Sequence, residues 1–308
     1  MSISRFAHSN YVGRFAPSPT GPLHFGSLVA AVASFLEAKA HGGKWLVRME
    51  DLDKPREMAG AADDILRTLH GFGFEWDDQI IYQSQRTEAY EAALTALKSK
   101  NLAYPCTCSR KEIADSSAQV GIEGKIYPKT CLIHAPAANI HAAFRVITLD
   151  KNIQFNDAIQ VQNKNMFSQN LAKEIGDFVL KRADGLFAYQ LAVVVDDAAQ
   201  GITHIVRGGD LLDSTPRQIY LQNLLSFNTP SYAHVPIAVN ANGEKLSKQT
   251  RAAPISMRLA GQQLFDALRF LGQNPPAEMQ NATLDEVWRW AKANWSLANI
   301  PHQRTIVA

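Results

Sequence analysis

Residues 14–27, Arg-Phe-Ala-Pro-Ser-Pro-Thr-Gly-Pro-Leu-His-Phe-Gly-Ser, constrain what this chain can fold into more than any other stretch. A short apolar entry, Tyr11-Val12-Gly13, precedes them, and Leu28–Lys39 follows with apolar residues on every side of a helix. Strand, then a Pro/Gly-punctuated loop, then a helix N-terminus is the geometry of a nucleotide site. A helix start offers unpaired N–H groups and a partial positive charge to phosphate. Gly26 lets a ligand approach the backbone where a side chain would block it. His24 is placed to present a proton-bearing ring nitrogen to a phosphate oxygen, and Ser27 sits in the first turn. Read alone, the stretch is equally a proline-rich turn before a core helix, because a single His-x-Gly is a weak motif.

The rest of the chain sets the frame for that site. At 308 residues it can bury a large core and divide into two or three compact units. Hydrophobic residues at 46% against 19% charged exclude a disordered chain. No apolar run is long enough to span a bilayer, and the N-terminus lacks the apolar core of a secretory signal. Three cysteines, an odd number, speak against a disulfide framework and for a reducing, cytoplasmic setting. The net charge of +2 neither demands nor excludes a nucleic-acid partner.

Periodicity divides the chain as follows. Lys44–Met49 reads as a buried strand ending in the acidic cluster Glu50-Asp-Leu-Asp53, where carboxylates at a strand end suit ligand binding. Asp63–His70 and Ser84–Lys100 read as helices, so that strand and helix alternate and a parallel sheet is expected. Residues 1–100 form the first half of an α/β nucleotide-binding domain on this reading. Residues 101–150 form an insertion of turns with little apolar content, and 151–250 the second half. The sheet is expected to resume with Asp177–Lys181, Phe187–Asp197 and Thr203–Arg207, with Leu191–Val195 buried. A capped helix starts near Asp213–Pro216, and Ala233–Val239 is a strand leading through a turn to Lys245-Leu-Ser-Lys-Gln249. Residues 251–308 form a short helical segment in which Trp288, Trp290 and Trp295 are packing anchors.

Within the insertion, Cys106-Thr-Cys108 and Cys131 have the composition of a structural zinc site. Three thiolates need a fourth ligand, and both Tyr127 and His134 lie at workable spacing. A segment so poor in apolar residues gains from a metal staple.

Two separated stretches, His24-Phe-Gly-Ser27 and Lys245-Leu-Ser-Lys248, together with Arg14–Gly21, resemble the class I aminoacyl-tRNA synthetases, and within them the glutamyl branch. The resemblance spans roughly residues 10–250. It implies a Rossmann-type α/β fold with a zinc-stapled insertion and a short helical C-terminal segment. It implies ATP, accompanied by Mg²⁺, held by His24, Gly26, Ser27, Lys245 and Lys248, with His24, Lys245 and Lys248 stabilising charge on the phosphates. It also implies L-glutamate held by Arg14, Ala16, Ser18, Glu50, Tyr189 and Arg207. In that pocket Arg207 reads the side-chain carboxylate as a bidentate fork and Glu50 receives the α-ammonium group. For the zinc site the resemblance favours Tyr127, at the spacing Tyr-x₃-Cys, over His134.

The chain departs from the family pattern at four places. Ser27 stands where a second histidine is usual and Gln249 where a serine is usual. Val193 and Leu211 replace an asparagine and a tryptophan, which leaves fewer polar contacts and predicts weaker glutamate binding. Only 59 residues follow Gln249, too few for the domain that reads an anticodon. The resemblance is therefore to a truncated branch that activates glutamate without tRNA and transfers it to queuosine at the wobble position of tRNA(Asp). A monomer is expected. The competing expectations are a minimal enzyme charging a tRNA 3′ end and a non-enzymatic module that binds glutamyl-adenylate or RNA.

Overall fold

A computed structural model describes residues 10–137, 141–160, 166–246 and 253–308. Its frame is a run of parallel strands with helical crossovers. Strand β1 (Val12–Phe15) pairs in parallel with β2 (Lys44–Met49), and β2 pairs in parallel with β3 (Ile81–Tyr82). The crossovers are α1 (Phe25–Ala40) and α2 (Ala61–Gly71), and α3 (Thr87–Ser99) follows β3. On the other side of β1 the backbone N–H of Thr203 bonds to Val12 O at 3.0 Å, which brings in strand His204–Gly208. That strand pairs in parallel with Ser231–Val235. The frame is that of an α/β protein with a parallel sheet, as the alternation of periods predicts.

Helix α1 reads as apolar all round because it is buried all round. Leu28, Val32, Phe35 and Leu36 are almost wholly removed from water, and the helix packs on β1, β2 and strand His204–Gly208. Helices Ala260–Phe270 and Leu284–Asn294 cover its remaining face and belong to the same core. Trp288 sits edge-on to Phe35 and Phe74, both at 5.2 Å, and its indole N–H donates to Phe72 O at 2.7 Å. Trp295 donates instead to Glu37 Oε2 at 2.7 Å, and Trp290 packs at the edge of the core. The C-terminal helices thus complete the core around α1.

The insertion is built differently. Strand Ala103–Cys106 pairs antiparallel with Ala143–Val146, which in turn pairs with Val179–Lys181. Beside it lie a hairpin, Val120–Gly121 with Gly124–Lys125, and a one-turn helix, Thr130–Ile133. Its own core is small: Tyr104, Cys106, Tyr127 and Cys131 are its buried members.

Three sequence expectations are corrected here. Asp177–Lys181 does not resume the parallel sheet: Val179–Lys181 pairs antiparallel with Ala143–Val146 of the insertion. Residues 187–197 are not a strand: Tyr189–Ala199 is a helix. Three consecutive valines favour extended structure by local preference, but this helix is enclosed on several sides by neighbouring elements, so no amphipathic period marks it. Its burial was read correctly, since Leu191 through Asp197 are all buried. The strand expected over 233–239 is broken at Pro236, which has no N–H to give; Ile237–Val239 pairs instead with Thr305–Val307. No helix among the described residues is long and apolar enough to cross a membrane.

Candidate active site

Loop 16–24 leaves the end of β1 and feeds α1, and backbone bonds pin it at both ends, Leu23 O accepting from Ile255 N–H at 3.0 Å beside α1. Pro17 O accepts from Glu50 N–H at 2.9 Å, and Pro19 O from Met58 N–H at 3.0 Å. Gly21 holds a φ of 137°, a conformation that residues with a Cβ rarely adopt. His24 is the N-cap of α1, and its Nδ1 accepts from the Ser27 backbone N–H at 3.3 Å. In the neutral ring this leaves the proton on Nε2. The first turn of α1 carries no acidic side chain, so nothing there competes with an anion.

Two neighbouring cavities open over this loop. One, of about 430 Å³, is lined by His24, Gly26, Ser27, Gly208 and Lys245, among others. The other, of about 620 Å³, is lined by Glu50, Asp51, Asp53, Gln83 and Tyr189. They share a wall made by Ala16, Ser18, Thr20, Asp210, Leu211 and Lys245. A Cβ on Gly26 would come within 3.2 Å of the His24 ring and 3.4 Å of Leu246 O, so a side chain there would crowd the His24 imidazole. Lys245 Nζ lies 2.7 Å from Asp210 Oδ2, both side chains being partly exposed. Lys248 and Gln249 lie outside the described residues.

The expected glutamate pocket is brought together only in part. Ala16, Ser18, Glu50 and Tyr189 line the larger cavity, whereas Arg14 and Arg207 are buried beside it and line neither cavity. Arg14 Nε donates to Asp197 Oδ1 at 3.1 Å. Arg48, wholly buried in β2, donates to Asp197 Oδ1 at 2.8 Å, to Gln200 Oε1 at 2.7 Å and to Glu50 Oε1 at 3.3 Å. One carboxylate therefore fixes two guanidinium groups, and the second of these fixes Glu50. Burial raises the Glu50 carboxyl above its ordinary range, against the pull of Arg48 and Arg14. Burial likewise raises the Tyr189 phenol, opposed by Arg207, reinforced by Glu50 and opposed by Arg14, which places its hydroxyl among those three charges.

Arg207 is committed to four neighbours. Its Nε donates to His234 Nε2 at 2.9 Å, Nη1 to Gln218 Oε1 at 2.8 Å, and Nη2 to Thr215 Oγ1 at 2.8 Å and Leu211 O at 3.3 Å. Of five N–H donors, one on Nη1 is left without a partner among the described residues. The bidentate fork expected from sequence would require Arg207 to release one of these partners. Asp210 pairs with Lys245, not with Arg207. Val193 is buried within its helix and Leu211 lines the shared wall.

Sequence reasoning missed Arg48, Asp197, Asp157 and His234. A signal was present for two of them. An arginine inside the apolar strand Trp45-Leu-Val-Arg48-Met and an aspartate closing an apolar run can be buried only as partners of other charges.

The insertion gathers a second group. The sulfurs of Cys106, Cys108 and Cys131 all lie within 4.8 Å of one another, with Cys108 and Cys131 at 3.4 Å. The Tyr127 hydroxyl is 3.6 Å from Cys108 Sγ and accepts from the Cys131 N–H at 2.8 Å. His134 is exposed and does not join the cluster. Arg145 donates to Cys106 Sγ at 3.2 Å and stacks 4.2 Å over the Tyr127 ring, a cation set against groups that become anionic when they ligate a metal. This donor set fits Zn²⁺.

The family model for tRNA synthetases class I (E and Q), catalytic domain, matches residues 11–299. The chain belongs to that family. It is 55% identical over 301 residues to a Glutamyl-Q tRNA(Asp) synthetase of Dechloromonas aromatica, covering 97% of this chain and 99% of that one. A protein of the same name from Thiobacillus denitrificans is 56% identical over 291 residues, covering 94% and 95%. Among solved structures, a glutamate–tRNA synthetase from Elizabethkingia anophelis aligns with a TM-score of 0.73 at 24% identity. It covers 95% of this chain and 67% of its own length, and at that identity the likeness concerns the fold.

The buried ion cluster generates the first prediction. Burial would raise the Asp197 carboxyl, but the charges of Arg14 and Arg48 hold it below its ordinary value. Its folded pKa being depressed, its contribution is present above the unfolded value of about 4 and disappears as pH falls through the folded one. Asp197→Asn leaves buried Arg14 without its carboxylate and Arg48 with only Glu50 and a more distant Asp196, and is expected to cost about 3–5 kcal/mol at neutral pH. Urea unfolding at pH 7 and in acid should show the gap between variant and wild type closing as pH falls.

Proposed function

We propose that this chain activates L-glutamate with ATP, without RNA, and transfers the glutamyl group to queuosine in tRNA(Asp). The observation that carries this reading is near-full-length identity above one half to relatives named Glutamyl-Q tRNA(Asp) synthetase. The geometry of the two cavities supplies the chemistry. The smaller takes ATP, with its Mg²⁺, on the start of α1; the larger takes glutamate; the α-phosphate and the α-carboxylate meet at the shared wall.

In the first step a carboxylate oxygen attacks the α-phosphorus and pyrophosphate leaves. Negative charge gathers on the phosphoryl oxygens, where the His24 Nε2–H, the first-turn N–H groups of α1 and the Lys245 ammonium can oppose it. Lys245 would exchange Asp210 for phosphate, and Lys248 is assigned to the same task from sequence. Glu50 receives the α-ammonium group, and Ala16 and Ser18 bound the carboxylate. Arg14, through Nη1, joins Ser18 in holding a remaining oxygen, and Arg207, through its remaining N–H, attracts the acidic side chain beside Tyr189. In the second step a hydroxyl of the acceptor attacks the activated carbonyl and AMP leaves. Pyrophosphate exchange with glutamate and no RNA should proceed. Label from glutamate should then enter tRNA from normal cells but not from cells unable to make queuosine, and nuclease digestion should leave it on the anticodon loop. Label on the terminal adenosine would mean that the chain charges a 3′ end.

The insertion holds a structural Zn²⁺ on this reading, ligated by Cys106, Cys108, Cys131 and Tyr127. When bound, the metal ties Cys106 and Cys108 to the one-turn helix that carries Cys131. Metal analysis of the purified chain should find one zinc per molecule, lost in Cys131→Ser, reduced in Tyr127→Phe and retained in His134→Ala. Loss of zinc in His134→Ala with retention in Tyr127→Phe would reverse the assignment of the fourth ligand.

A further inference from the structure

We propose that Asp157 and His234 are positioning residues for substrate recognition: a buried Asp157–His234–Arg207 chain aims the guanidinium and leaves its positive charge available to an acidic side chain. The proposal rests on Arg207 as the group that attracts the glutamate side chain.

Three observations lead to it. First, the chain is built by the fold. Arg207 and His234 are register partners on the paired strands His204–Gly208 and Ser231–Val235. Asp157 follows strand Asn152–Asn156 and bridges to the second of these strands at Tyr232. Second, the hydrogen bonds run in one direction. Arg207 Nε–H is a donor, so His234 Nε2 must accept, at 2.9 Å, and the imidazole proton must sit on Nδ1, 2.5 Å from Asp157 Oδ2. Asp157 Oδ1 accepts in turn from the N–H groups of Ile159 at 3.0 Å, Gln160 at 2.8 Å and His234 at 3.1 Å. Burial pushes the His234 imidazole down to about 4, so it is neutral at physiological pH. Burial alone would raise Asp157, but the bonds from His234 and the backbone hold its carboxyl below the usual range.

Third, Arg207 differs from the other buried arginines of the site. Arg14 and Arg48 touch Asp197 directly. Every contact of Arg207 among the described residues is to a neutral group: an imidazole, an amide oxygen, a hydroxyl and a carbonyl. A buried cation without a carboxylate beside it is costly unless something anionic arrives. The neutral imidazole lets Asp157 orient Arg207 from one ring away, where a direct ion pair would cancel the attraction the pocket needs. Tyr232, on which the Arg207 guanidinium sits 5.6 Å from the ring centre, adds a further neutral wall.

The test uses the full chain and pyrophosphate exchange without RNA. His234→Phe removes the acceptor and should raise the KM for glutamate about ten-fold or more while leaving the KM for ATP unchanged. His234→Gln, whose Oε1 can accept from Arg207 Nε, should recover part of the loss. Asp157→Asn, which can turn the imidazole to the wrong tautomer, should raise the glutamate KM alone, and should add nothing in an Arg207→Gln background. Should His234→Phe fail to fold, ¹⁵N spectra of the wild-type imidazole still decide: a proton on Nδ1 is expected, and one on Nε2 overturns the chain. If Arg207→Gln raises the glutamate KM but neither the Asp157 nor the His234 variants do, the positioning role is wrong while the pocket assignment survives. If Arg207→Gln leaves the glutamate KM unchanged, the assignment of Arg207 itself falls.

Discussion

The site depends on one buried carboxylate. Asp197 sits between Arg14 at the end of β1 and Arg48 in β2, and through Arg48 it fixes Glu50. These groups come from the first two strands and from a helix nearly 150 residues later, so their pairing holds together the two halves of the nucleotide-binding frame. A buried pair of this kind contributes little net stability against an apolar core, and removing one member is strongly unfavourable. Its value lies in placement: with Asp197 present, Arg14, Arg48 and Glu50 have one arrangement.

The same economy governs the loop over the cavities. His24 both caps α1 and lines the smaller cavity, so one residue terminates the loop and, on the proposed reading, serves the nucleotide. The C-terminal helices hold α1 from behind through Trp288 and its neighbours, which connects the last elements of the chain to the helix that begins at the smaller cavity. The separate core cluster of the insertion has four buried members among the described residues, and three of them, Cys106, Tyr127 and Cys131, belong to the cysteine–tyrosine group.

Much of this was legible in the residues. The periodicity of 28–39 and 44–49 marked α1 and β2 because one is buried on all faces and the other is a short apolar run. The motif pair at 24–27 and 245–248 pointed to one cavity; His24 and Lys245 both line the smaller one, and Lys248 lies outside the described residues. Tyr189–Ala199 was misread because a helix enclosed by its neighbours loses the polar face that reveals it, and its valines favour a strand. Arg14 and Arg207 stand out in the sequence as candidate site residues, with nothing in it to mark them as buried. No local pattern reports that Asp197 and His234, each distant in sequence from one of these arginines or paired across strands, will claim their donors. Pairings of that range are set by topology, and only the register of the sheet exposes them.

On the proposed reading His24 and Lys245 face one nucleotide while Glu50 and Tyr189 face an acidic amino acid across a shared wall. A crystal structure with a non-hydrolysable glutamyl-adenylate analogue decides this. The phosphate mimic is expected within hydrogen-bonding distance of His24 Nε2 and Lys245 Nζ, with the glutamyl group in the larger cavity against Glu50 and Tyr189. An analogue bound with its glutamyl group away from Glu50, or with His24 and Lys245 on no common ligand, would contradict it.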